Sequence, residues 1–71
     1  MDHWIVIEMA DGKILQALDY CDRSKDEALD CAVDLAMENG YEYGREDARD
    51  ILNDEGVLFI GDYAVYITTI K

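Results

Sequence analysis

Two apolar-rich runs, HWIVIEMA (residues 3–10) and KILQALDY (13–20), flank Asp11-Gly12 near the start of the chain. An Asp-Gly step between strand-forming residues suits a two-residue type I′ turn, so this stretch predicts a β-hairpin. Counting outward from the turn pairs Met9 with Ile14, Ile7 with Gln16 and Ile5 with Leu18, and puts those residues on the core side. The opposite face then carries Trp4, Val6, Leu15 and Ala17, mixed with Glu8, Lys13 and Asp19. It is more apolar than a solvent face usually is. Such a face suits a second buried layer, a dimer contact or a binding patch, and the pattern leaves the three open.

The period changes after Ser24. Ser24 followed by Glu27 forms a capping box, which predicts a helix from residue 25. Ala28, Ala32, Leu35 and Ala36 fall together on its wheel, and Leu29, Cys31 and Val33 widen the apolar arc that packs on the sheet. Gly40 is a suitable stop. A shorter helix is expected over about residues 45–54, with Ala48, Ile51 and Leu52 inward and Gly56 after it. Within it Arg45 and Arg49 partly compensate the acids around Glu46. VLFI and YAVYITTI around Gly61-Asp62 predict a second hairpin over residues 57–70. The order is ββααββ in a single domain, residues 1–71. Its simplest packing is an α+β fold, a four-stranded antiparallel sheet with both helices on one face.

Composition decides what such a domain can meet. With 71 residues it lies near the lower limit for burying a core, and a hydrophobic content of 51% argues against a disordered acidic tail. Seventeen acidic residues against six basic ones give a formal charge of −11. That field repels nucleic acid and anionic membranes, and direct DNA or RNA binding lacks the Lys and Arg that phosphate neutralisation needs. No apolar run approaches the roughly 18 residues of a membrane span, and WIVI follows MDH with no basic leader, so a cytoplasmic location is expected.

Little in the chain assembles into catalysis. Its one His, His3, is near the terminus, Ser24 is occupied as a cap, and the glycines lie at turns and helix ends. Enzymatic activity and cofactors are therefore not expected. Cys21 and Cys31 are ten residues apart with no CxxC and read as reduced thiols, although a disulfide between them is open. The acid-rich DYCDRSKDE and NDEG lack the spacing of a calcium loop, so no metal is expected. Tyr63 and Tyr66 suit strand packing. Tyr41 and Tyr43, in an acidic loop, are better placed as interface anchors.

The segment KDEALDCAVDLAME places Asp26, Asp30, Asp34 and Glu38 at four-residue intervals with no Lys or Arg among them. Like charges at that spacing cost an isolated helix about 1 kcal/mol in total. The rise of a helix sets the carboxylates about 6 Å apart, comparable to successive phosphates along a nucleic-acid strand. Charged faces that serve only solubility usually mix signs, and this one does not. Salt adaptation would spread acids evenly, whereas here they concentrate between Asp19 and Glu55.

A short acidic chain with strands at both ends and the carboxylate-lined KDEALDCAVDLAME between them resembles the small phage-encoded inhibitors of bacterial defence, anti-CRISPR proteins and anti-restriction DNA mimics. The likeness lies in size, charge and layout and carries no signature motif. It implies stoichiometric inhibition in the host cytoplasm. The partner would be a basic nucleic-acid-binding protein, a Cas complex or restriction enzyme subunit. Asp26, Glu27, Asp30, Asp34 and Glu38 would meet its groove, and Glu42, Glu46, Asp47 and Asp50 would extend the contact. The rival expectation is an interaction or assembly module that binds a partner, or forms a homodimer, through Trp4, Val6, Leu15 and Ala17, with the acids serving only solubility.

Overall fold

The computed structural model describes residues 3–20 and 24–70. Cys21, and with it the disulfide left open above, lies outside them, as do the side chains of His3 and Tyr20. Cys31 is a free, half-buried thiol. The elements run β1 (His3–Ala10), β2 (Lys13–Tyr20), α1 (Lys25–Glu38), α2 (Arg45–Glu55), β3 (Val57–Ile60) and β4 (Tyr63–Ile70). All four strands form one antiparallel sheet in the order β2-β1-β4-β3. The expected ββααββ α+β fold is thus present.

Local chemistry sets the boundaries. Asp11 and Gly12 both take positive φ, 52° and 78°, as a type I′ turn requires. Helix α1 starts where the Ser24 hydroxyl oxygen accepts from the Glu27 N–H at 3.3 Å. It ends in a Schellman motif: the Tyr41 N–H donates to the Ala36 carbonyl and the Gly40 N–H to that of Met37, with Gly40 at φ 95°. Neither helix is long and apolar enough to cross a membrane.

Gly56 closes α2 and joins it to the sheet. It sits at φ 75°, its N–H donates to the Leu52 carbonyl at 3.0 Å, and its own carbonyl accepts from Ile67 at 2.9 Å. An added Cβ would meet the Ile67 carbonyl oxygen at 3.3 Å. Left-handed backbone costs a residue with a Cβ about 1–2 kcal/mol, and the tight contact adds to that. Gly56→Ala is therefore expected to lower unfolding stability by about 1–2 kcal/mol in a denaturant titration. An unchanged midpoint would contradict the capping role.

Helices α1 and α2 cover the same face of the sheet, and one core joins the layers. Val6, Leu58, Val65 and Ile67 from the strands meet Ala28, Leu29, Ala32, Val33, Leu35 and Ala36 of α1 and Ala48 and Leu52 of α2. Trp4 and Leu18 pack against this core on the same face, with the Lys25 ammonium 5.5 Å from the centre of the Trp4 ring.

The hairpin therefore faces opposite to the sequence expectation. Met9 does oppose Ile14, but Ile7 lies opposite Ala17, not Gln16, and Ile5 opposite Asp19, not Leu18. A β-bulge between Glu8 and Met9 leaves Leu15 as an extra residue in β2, and one extra residue inverts every side chain beyond it. Trp4 and Val6, on the face left open between a buried layer, a dimer contact and a binding patch, belong to the helix-covered side, where Val6 is fully buried. Ile5, Ile7, Met9 and Ile14, expected in the core, lie on the uncovered face with Ala17. Register adds Val57, Phe59, Ala64 and Tyr66 from the other hairpin to that face.

Glu8 explains how a polar residue stands inside. It is 8% exposed, with Gln16 Nε2 donating to its Oε1 at 2.9 Å and Asn39 Nδ2 to its Oε2 at 2.7 Å. Both carboxylate oxygens are satisfied, so burial leaves no unmet acceptor. The same two bonds tie β1 to β2 and to the end of α1.

Candidate functional site

The acidic and tyrosine site residues read from the sequence lie in the helical layer and the loop that joins its two helices, whereas the alternative set Trp4, Val6, Leu15 and Ala17 lies in β1 and β2. Because α1 and α2 are linked by six residues they pack side by side and antiparallel, and the aspartate line of α1 borders the first turns of α2. The consequence is a correction to the picture of an unpaired stripe. Arg49 donates through Nη1 to Asp30 Oδ1 at 2.6 Å and through Nη2 to Asp26 Oδ1 at 2.5 Å, while Arg45 Nη1 reaches Asp34 Oδ1 at 2.6 Å. The arginines expected to compensate Glu46 within α2 serve α1 instead.

These pairs are exposed: the three aspartate side chains are 62–80% accessible. Each is accordingly worth at most about 1 kcal/mol. Together they suffice to offset the like-charge cost of the stripe. The signal was present in the sequence, since Arg45 and Arg49 share the four-residue interval of Asp30 and Asp34. It becomes readable only once the two helices are set antiparallel.

The arginine contacts take one oxygen, Oδ1, of each aspartate. The second oxygen of each carboxylate remains as an acceptor. An open groove of about 190 Å3, lined by Asp30, Val33, Arg45, Glu46 and Arg49, runs between the helices beside them. Among the described residues Glu38, Glu42, Glu46 and Asp50 are exposed and make no ion pair. Glu27 is exposed as well and begins the acidic side of α1. From Ser24 to Gly56 there are eleven Asp and Glu against three Lys and Arg, a net of −8. The helical layer thus presents a surface of essentially one sign, with two arginines inlaid between the helices.

The connecting loop is held by aromatic contacts. Tyr41 and Tyr43 meet edge to face with ring centres 5.5 Å apart, and the Tyr41 hydroxyl donates to Asp47 Oδ2. Tyr43 is 78% exposed, which leaves its ring available to a partner. The hydrogen bond to Asp47 is the main reason that the Tyr41 phenol is pushed up to about 12, with desolvation, the Asp47 charge and Tyr43 contributing further. Because the folded value is raised, the stabilisation from this bond is complete below about pH 10. It is lost as pH rises toward 12. An ultraviolet phenolate titration is expected to show a component at the raised Tyr41 value, and Asp47→Asn should lower that component toward the ordinary phenol range. A raised component that survives Asp47→Asn would contradict the assignment.

Among the described residues no three metal-ligating side chains converge. The chain matches no protein-family model, no curated protein and no solved structure.

Proposed function

We propose that this protein is a stoichiometric inhibitor that occupies a cationic, nucleic-acid-binding surface of a bacterial defence complex, either a Cas effector or a restriction enzyme, by presenting its acidic helical layer in place of a phosphate backbone. The observation that carries this reading is the single-sign charge of that layer, held on a rigid two-helix platform. Because two packed helices already hold these carboxylates on one face, binding needs no rearrangement of the backbone, which favours affinity. Charge-assisted bonds to Arg and Lys supply the contact, and the long-range field speeds encounter. Glu38, Glu42, Glu46 and Asp50, free of internal partners, make the primary contact, with the outer oxygens of Asp26, Asp30 and Asp34, and Glu27, beside them. On this reading the protein acts in the bacterial cytoplasm, where its targets work.

The test is capture of partners from a bacterial lysate by tagged protein, at low and high salt, with the captured proteins identified. A basic nucleic-acid-binding protein retained at low salt and released at high salt is expected, because exposed charges are screened beyond about 8–10 Å. Capture of only non-nucleic-acid-binding proteins, or retention indifferent to salt, would count against the proposal. The alternative, an assembly module acting through the sheet, draws on the uncovered apolar face. Such a module would hold its partner regardless of the acids in the helical layer.

A further inference from the structure

We propose that a second copy of this chain covers the open face of the sheet, the two sheets packing face to face about a two-fold axis. The open face is apolar and uncovered: Phe59 and Ile14, both on it, are 67% and 62% exposed. Among the described strand residues, Asp19 is the one acid that the register places there. Strands spaced about 4.8 Å apart with a rise of about 3.3 Å per residue give three strands of eight residues and one of four a flat footprint on the order of 450 Å2. Two such faces reach about 900 Å2 before side-chain relief is counted, close to the roughly 1,000 Å2 that a specific interface should clear. A patch of that extent is as large as the largest one a typical monomer exposes, and such patches often serve binding.

Charge selects the occupant. A chain of net charge −11 should repel its own copy, yet eleven of its seventeen acids lie in the segment that forms the helical layer, on the far side of the sheet. The molecule is 18 Å across its shortest dimension. With the sheets together, the two helical layers point outward and lie on the order of 30 Å apart, well beyond the Debye length at physiological salt. A cationic partner is drawn to the opposite surface and an anionic one is repelled. A copy of the same chain brings the matching, largely apolar face with few charges, as an isologous contact requires.

The measurement is sedimentation equilibrium of the intact protein over a series of micromolar concentrations, at low and high salt. Twice the chain mass is expected, with association maintained or strengthened by salt as residual repulsion is screened. Phe59→Asp and Ile14→Asp, each tested separately with circular dichroism as the control for folding, should weaken dimerisation by about tenfold or more. Asp50→Asn should leave it unchanged. A wild-type protein that stays monomeric, a dimer dissociated by salt, or a dimer indifferent to both face substitutions while Asp50→Asn disrupts it, would each overturn the proposal. The result is independent of whether the helical layer captures a defence protein.

Discussion

Reversing two of the free carboxylates, Glu46→Lys with Asp50→Lys, is expected to weaken partner binding by about 100-fold or more. These side chains extend from α2 with no internal ion pair, so their replacement changes the surface without dismantling the helix pair. Like charges brought together in an interface cost several kcal/mol, and each tenfold loss corresponds to about 1.4 kcal/mol. The cost to folding is small by comparison. Lys at position 46, in the first turn of α2, opposes the helix dipole by about 0.3–1 kcal/mol, and position 50 lies beyond that turn. Thermal melting of the variant provides the check on folding. Reversal of Asp30 or Asp34 is a poorer probe. Each would set a lysine against Arg49 or Arg45 and mix a folding effect with the contact. Binding unaffected by the Glu46 and Asp50 reversal would remove the acidic layer from the interface.

The second large effect concerns the sheet. Val6→Asp is expected to unfold the protein, whereas Phe59→Asp should leave the monomer folded. Val6 is fully buried beneath the helices, and a carboxylate placed there has no partner. The penalty is several kcal/mol, against a total stability of about 4–10 kcal/mol for a domain of this size. Phe59, also in the sheet, lies on the open side and meets water. Circular dichroism and denaturant titration of both variants read the difference. A folded Val6→Asp protein would mean that the helices do not cover this face.

That contrast shows where the sequence could and could not be read. Turns and caps are specified by single residues with particular chemistry. Asp11-Gly12, Ser24 with Glu27, and Gly40 therefore marked their elements to the residue, and the fold class followed. The facing of the first hairpin was harder because β1 is apolar on both sides, Trp4 and Val6 on one and Ile5, Ile7 and Met9 on the other. Glu8 weighed toward the wrong side, since nothing in the sequence shows that Gln16 and Asn39 will receive it. Leu15 then shifted the register through a bulge that no local signal announces.

The acidic site divides along the same line. Its residues and their spacing on α1 were legible because a helix has a fixed pitch. Their pairing with Arg45 and Arg49 depends on how two helices align, which is a property of packing. The pairing also changes the weight of the individual residues. Asp26, Asp30 and Asp34 become partly satisfied, while Glu38, Glu42, Glu46 and Asp50 carry the free charge. Asp47 is held by Tyr41 and serves the loop.

The most direct test of nucleic-acid mimicry is competition. The protein is titrated into Cas effector complexes and restriction enzymes already loaded with labelled DNA, and release of the DNA is followed by fluorescence anisotropy. Release of DNA from at least one of them is expected, saturating at a fixed stoichiometry and weakening as salt is raised. A ternary complex in which this protein binds while the DNA stays in place, or no release from any of them, would contradict mimicry.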